Sequence, residues 1–256
     1  SEADFLRWLA EAPADRSRRH AFADWLQEQG NPRGEFMALQ LSSNLEPKAQ
    51  KRMAALQKKQ ERDWLRAFWK SKRNGSIRFQ GGVLTGIDLV HWGPAGNAPP
   101  PDEPQLATLE RLWIDGGASE ALRELIASPL LGAVRDFAVP AVMLDAVPKK
   151  LAAQLTTLGV HVSWNDERGV GAASRHLDAM SLPELKTVHL AGQVRQEAAP
   201  VIAKARWPRR LERLIVESIE PAAFRAIFPK LGPAVLEVRP ELGDSKQHTW
   251  VFDKDS

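Results

Sequence analysis

The chain has 256 residues, of which 43% are apolar and 26% are charged, a composition typical of a globular protein with one large domain or two small ones. The absence of cysteine excludes disulfides, cysteine-ligated metals and thiol nucleophiles, and the absence of tyrosine excludes phenol chemistry. The formal charge of +3 is unevenly distributed, because residues 48–73 carry ten basic and two acidic side chains. The first twenty residues and the longest apolar run, residues 137–144, predict neither a secretory signal nor a membrane span, so we expect a cytoplasmic protein.

The first seventy residues predict a series of helices, because apolar residues recur every three or four positions and helix breakers fall between the runs. A short first helix ends near Pro13. Asp15 is the expected N-cap of a second helix, which stops at Gly30. A third helix begins near Arg33, and a longer fourth helix follows Pro47. We therefore expect a compact helical module at the start of the chain.

Beyond this module, short β-type runs recur with the pattern L-x-x-L-x-L. The matching triplets are Leu84/Ile87/Leu89, Leu109/Leu112/Ile114, Val134/Phe137/Val139, Leu155/Leu158/Val160, Leu185/Val188/Leu190, Leu211/Leu214/Val216 and, in part, Pro233/Leu236/Val238. Their last positions are about 25 residues apart on average, and leucine-rich repeats have periods of about 20–29 residues. The spacing predicts a repeat array.

Segments of helical composition lie between these runs, at residues 119–127, 142–154, 172–180, 197–205 and 221–228, whereas the proline-rich residues 94–104 predict an exposed loop. Strands and helices alternating at this period build a curved solenoid whose parallel strands line the inner face. We predict an α/β fold, with an N-terminal helical cap on a short leucine-rich-repeat-like solenoid of parallel strands and helices. The predicted domains are residues 1–75 (helical), 76–243 (solenoid) and 244–256 (a polar C-terminal tail).

The alternation within each predicted strand indicates a binding surface. If the leucines point into the core, the residues that flank the last two leucines point to the concave face. The candidate partner-binding residues on this face are Arg111, Trp113, Asp115, His161, His189, Arg213, Glu217, Glu237 and Arg239. Among them we favour Arg111, Trp113 and Arg213 as the strongest contacts, because Arg and Trp are enriched in binding hot spots.

Residues 19–40 read RHAFADWLQEQGNPRGEFMALQ. This segment resembles the short bacterial repeat-companion domain, whose consensus is approximately R-x-x-[YF]-A-D-W-L-x-E-x-G-D-P-R-G-E-F-I-x-L-Q, and it departs from that pattern at Asn31. The resemblance covers about residues 3–90 and implies a domain that accompanies repeat arrays. It implies no reaction.

Common catalytic motifs are absent from the sequence, including the phosphate loop G-x-x-x-x-G-K-[ST], H-E-x-x-H and G-x-S-x-G. We therefore expect no enzymatic activity, no cofactor and no metal site. Within the segment that resembles the repeat-companion domain, we interpret Arg19, Asp24, Arg33 and Glu35 as a structural set, because four charges of mixed sign can pair with one another when buried.

Two functions remain open. The preferred hypothesis is a non-enzymatic scaffold or adaptor that binds another protein on the concave face. The alternative is a nucleic-acid-binding accessory protein whose basic helix, residues 48–73, contacts phosphates through Lys51, Lys58, Lys59, Arg62 and Arg66. A solvated helix face also explains these side chains, and a membrane partner is not expected.

Overall fold

The computed structural model describes residues 1–69, 75–92, 98–161, 176–177, 180–194, 211–219, 221–227, 235–238 and 250–252. Within these ranges the protein has an α/β fold with nine strands. The order of the strands in the sheet is the same as their order in the sequence. It divides into two compact units. The first unit is Ser1–Leu112 with Ser119–Val134, and the second unit is Trp113–Ala118 with Arg135–Ser256.

The first unit begins with four helices in the predicted places. They are α1 (Glu2–Glu11), α2 (Arg16–Glu28), α3 (Pro32–Leu41) and α4 (Pro47–Leu65). The side chain of Asp15 accepts hydrogen bonds from the first backbone amides of α2, as predicted, and Asn31 caps α3 in the same way. Gly30, between these two helices, has a φ of +67°, a conformation that favours glycine.

A β-hairpin is part of the same unit as the helices. Strands β1 (Gly75–Gln80) and β2 (Val83–Trp92) pair antiparallel, and the two glycines between them both have positive φ, as type I′ turns require. The start of β2 is buried against the helices, because Val83 belongs to the apolar cluster of Leu6, Phe22 and Met37. The compact unit therefore extends past the predicted boundary at residue 75, since the helices and the hairpin share one core.

Shorter elements complete the first unit. They are the 3₁₀ turns Arg66–Trp69, Pro104–Thr108 and Leu131–Ala133, and helix α5 (Glu120–Ile126), which lies within the helix predicted at residues 119–127. The proline-rich loop is described only from residue 98, and there Pro99 is buried rather than exposed. Residues 94–97 lie outside the described ranges.

Strand β3 (Arg111–Gly116) contributes residues to both units. The second unit then contains β4 (Asp136–Pro140), α6 (Lys149–Gln154), β5 (Thr157–His161), β6 (Thr187–Val194), β7 (Arg213–Ile219), α7 (Pro221–Ile227), β8 (Val235–Val238) and β9 (Trp250–Phe252). A 3₁₀ segment, Ala141–Ala146, precedes α6. Strands β4 to β8 pair in parallel, and β9 pairs antiparallel with β8.

The repeat positions stand side by side in the sheet. Phe137, Leu158, Val188, Leu214 and Leu236 form one continuous row across β4 to β8, and all five side chains are buried. This register places equivalent apolar residues on one face, so the predicted strand pattern is confirmed. The parallel strands and intervening helices also confirm the α/β class.

Other parts of the prediction have different outcomes. The polar tail predicted at residues 244–256 includes a strand, β9, because its backbone completes the hydrogen bonds of β8. The helix predicted at residues 197–205 and most of the helix predicted at 172–180 lie outside the described residues. Among the described helices, none combines the length and apolar character needed to cross a bilayer.

Candidate functional site

The candidate site lies on the face of the second unit's sheet that is opposite the buried apolar row. We call it the polar sheet face, and its residues are Trp113, Asp115, Asp136, His161, His189, Arg213, Glu217 and Glu237. They lie on strands β3 to β8 at positions that alternate with the buried leucines. Seven of these eight residues are among those predicted. Asp136 was not selected, although the same alternation places it on this face.

Trp113 is the central residue of the polar sheet face. Its indole Nε1 donates a 2.6 Å hydrogen bond to Oδ1 of Asp136. The Trp113 ring lies 5.0 Å from the ring of His189, and the ring of His161 lies 6.3 Å away in an edge-on arrangement. One hydrogen bond and two ring contacts therefore fix the orientation of a partly exposed indole.

Small residues allow the indole of Trp113 to reach His189. Strands β4 and β5 lie between β3 and β6, and the residues level with His189 on these strands are Ala138 and Gly159. A Cβ atom added to Gly159 would lie only 2.4 Å from Cβ of Ala138. The sheet is therefore closely packed at this level, and larger side chains would occupy the space that the indole crosses. Strand alternation also places Ala138 and Gly159 on the predicted face, but the space that they leave for the indole was not predicted.

Each histidine of the site lies near a carboxylate. Nδ1 of His161 is 3.7 Å from Oδ1 of Asp115, and Nε2 of His189 is 3.7 Å from Oε1 of Glu217. Burial lowers the pKa of His161, and the negative charges of Asp115 and Glu217 only partly oppose this effect. A lowered pKa favours the neutral form of His161 at pH 7, and the carboxylates Asp115, Asp136 and Glu217 lie on the same part of the face.

The predicted arginines have different surroundings. Arg213 donates a hydrogen bond to Glu237, whose side chain is buried, while the Arg213 side chain stays half exposed. Arg111 belongs to the first unit, where its Nε donates a 2.7 Å hydrogen bond to Oδ1 of Asp88. Arg239 lies outside the described residues. The predicted concave face therefore includes residues of both compact units.

The basic helix is largely as expected for a solvated face. Lys51, Lys58, Lys59 and Arg62 are exposed on α4, whereas Leu56 and Trp64 are buried on its other side. Arg66 follows the end of α4 in a 3₁₀ turn, and its Nη2 donates a 2.7 Å hydrogen bond to Glu2. Arg66 is therefore already paired with a carboxylate of the chain.

The predicted set of four mixed charges does not form. Arg19 donates to the carbonyl oxygens of Pro13 and Gln80, and Glu35 binds Arg52 with both of its oxygens. Asp24 is exposed. Backbone carbonyls satisfy the buried guanidinium of Arg19 because the hairpin turn and the turn before α2 both lie within its reach. Arg19, Arg33 and Glu35 therefore bind different partners, and the four residues do not form one network.

The described residues contain no group of three or more His, Asp or Glu side chains arranged to hold a metal ion. No known protein family model, curated protein or solved structure matches this chain.

Proposed function

We propose that the protein is a non-enzymatic scaffold or adaptor that binds a partner protein through the polar sheet face. In this proposal the parallel sheet is the inner surface of a curved, leucine-rich-repeat-like solenoid with an N-terminal helical cap, and the helical segment is a repeat-companion domain. The in-register apolar row of the second unit supports the repeat architecture, because stacked repeats bury equivalent positions side by side.

The observation that carries the proposal is the fixed, partly exposed indole of Trp113. A large aromatic side chain held in one orientation loses little conformational entropy when a partner covers it. Charged side chains surround it, and such polar rims are typical of protein interfaces. The arrangement therefore resembles a binding hot spot more closely than a catalytic site.

The charge of the face indicates the chemistry of the partner. Asp115, Asp136 and Glu217 are carboxylates near Trp113, and burial favours the neutral form of His161 at pH 7 because it lowers the pKa. Arg213, a cation on this face, forms an ion pair with Glu237. A partner surface that carries Lys or Arg around an apolar contact complements this arrangement.

The test begins with affinity capture from the native cell and mass spectrometry of the retained proteins. Each candidate is then purified, and its dissociation constant is measured with the wild-type protein and with Glu217→Lys. We expect charge reversal at Glu217 to weaken binding at least tenfold. The matched control is Lys150→Glu, which reverses an exposed charge on α6, away from the sheet. Equal affinities for wild type and Glu217→Lys would contradict the proposal.

Nucleic-acid binding by α4 is the second candidate function, and the exposed side chains of Lys51, Lys58, Lys59 and Arg62 favour it. The test is binding of DNA and RNA across a range of salt concentrations. If these residues contact phosphates, replacing Lys58, Lys59 and Arg62 with Gln will reduce the salt dependence by about one unit of slope per lost contact. We expect no binding at physiological salt, and submicromolar affinity there would favour this alternative.

A further inference from the structure

A cleft of about 380 Å³ in the first unit is not used by the proposed function. The starts of α1 and α3 and the end of α4 line it, through Glu2, Asn31, Arg33, Gln60, Asp63 and Arg66 among others. Its volume lies in the range of about 300–1,000 Å³ that is usual for small-molecule sites. Two guanidinium groups on one wall make this cleft a candidate site for an anion.

Arg33 has an unfilled hydrogen-bond donor beside this cleft. Its side chain is only 3% exposed. Nε donates to the carbonyl oxygen of Gly82 and Nη1 donates to Oε1 of Glu2, at 3.0 and 2.9 Å. Nη2 is buried and has no hydrogen-bond partner within the part of the chain that the structure describes. A buried donor without a partner is unfavourable, so a ligand that reaches Nη2 gains free energy that solvent does not supply.

Glu2 already occupies an anion position between the two arginines. Its Oε1 accepts from Nη1 of Arg33, and its Oε2 accepts from Nη2 of Arg66 at 2.7 Å. In this arrangement neither oxygen of Glu2 forms a hydrogen bond with Nη2 of Arg33. A tetrahedral oxyanion has more oxygens and can bind both arginines and the unfilled donor together.

Two cations, Arg33 and Arg66, lie beside Glu2, and Asp63 is a second carboxylate among the residues that line the cleft. Arg33 is charged at pH 7, because burial lowers its pKa only to about 10 and the carboxylate of Glu2 opposes this. If Glu2 turns to solvent, Arg33 and Arg66 together present two positive charges. Burial raises the pKa of Glu103, and the positive charge of Arg66 opposes this rise.

The N-terminus of α3 contributes its dipole but few donors. Pro32 has no amide hydrogen, the amide of Arg33 donates to the side chain of Asn31, and the amide of Gly34 donates to the carbonyl of Asn31. The hydrogen bonds to a ligand must therefore come from the two arginine side chains rather than from helix amides.

We propose that this cleft binds the phosphoryl group of a small phosphorylated molecule, which displaces Glu2 from Arg33 and Arg66. The phosphoryl oxygens take both guanidinium positions and fill Nη2 of Arg33. Gln60 and Asp63 line the same cleft and offer hydrogen-bond partners for hydroxyl groups on the rest of the ligand. Glu2 acts as an internal competitor, so its removal strengthens binding.

The experiment measures dissociation constants for inorganic phosphate and glycerol 3-phosphate by calorimetry on the full chain, at constant ionic strength. We expect Glu2→Gln to bind at least tenfold more tightly than wild type and Arg66→Gln to bind at least tenfold more weakly. Arg62→Gln is the matched control, since Arg62 is an exposed cation in the last turn of α4 that does not line the cleft. We expect it to bind as wild type does.

Glu2→Asp protects the test against a folding failure of Glu2→Gln. Its shorter side chain keeps the charge but cannot bridge both arginines, so we expect intermediate affinity. Equal affinity of wild type, Glu2→Asp and Arg66→Gln, or no phosphate binding by any variant, would overturn the proposal. A phosphoserine peptide that binds more tightly than glycerol 3-phosphate would assign the phosphoryl group to a protein and overturn the small-molecule ligand.

Discussion

In the first unit, the buried arginines Arg19 and Arg33 donate chiefly to backbone carbonyls, whereas in the second unit the polar side chains of the sheet face bind one another. A carbonyl of a folded turn cannot be exchanged for a partner's atom without unfolding the turn. A hydrogen bond or ion pair between side chains can be exchanged at an interface. Arg19 and the Nε contact of Arg33 therefore hold turns of the first unit in place, whereas side-chain pairs, both those of the sheet face and those of Glu2 with its two arginines, remain available for recognition.

The largest expected effect comes from breaking the contact of Arg33 with the hairpin turn. Arg33→Ala removes the donor to Gly82 and creates a cavity near α3, so we expect a loss of about 3–5 kcal/mol in the free energy of unfolding. Urea denaturation measures it. Asp24→Ala is the control and should change stability by less than about 0.5 kcal/mol, because Asp24 is exposed. Equal losses of unfolding free energy in the two variants would show that the contact of Arg33 with the hairpin turn does not stabilise the fold.

The second effect concerns the small residues of the polar sheet face. Gly159→Val places methyl groups where a Cβ already lies 2.4 Å from Ala138, and we expect a loss of about 1–3 kcal/mol together with a shift of the Trp113 indole NMR resonance. Gly117→Ala is the control, since an added Cβ there meets no atom within 4 Å. An unchanged Trp113 resonance in Gly159→Val would contradict the packing argument.

A smaller effect is expected from the indole hydrogen bond. Trp113→Phe keeps an aromatic ring beside His189 but loses the donor to Asp136. We expect about 1 kcal/mol lower stability, a usual net value for one hydrogen bond. Thermal denaturation of Trp113→Phe, Asp136→Ala and the double variant Trp113→Phe/Asp136→Ala measures it. The effects of the two substitutions should be non-additive, and simple addition would show that the bond contributes nothing.

The smallest expected effect is the pH dependence that His161 causes. Its pKa is lowered from 6.5 in the folded protein, so the unfolded chain binds more protons in acid. The free energy of unfolding therefore falls as the pH drops below about 6.5, and this contribution is absent above that value. His161→Gln should reduce the fall. A pH profile that His161→Gln leaves unchanged would exclude this role.

Parts of the candidate site could be predicted from sequence. Trp113, His161 and His189 were placed on one face because strand alternation depends only on backbone geometry, and the structure brings their rings together. The contributions of Ala138 and Gly159 were not predicted. Their small side chains leave space above the sheet. Which side chain fills that space depends on the neighbouring strands, and here it is the indole of Trp113.

The helix caps, the strand positions and the register of the apolar row can be read from the amino-acid sequence, because they follow from local hydrogen bonding and from the period of apolar residues. The partners of the charged side chains, in contrast, depend on long-range contacts of the folded chain. Arg19 and Arg33 bind carbonyls of the hairpin 61 and 49 residues away, and Arg33 also binds Glu2. A long side chain takes whichever acceptor folding brings within reach, and no local pattern specifies that acceptor.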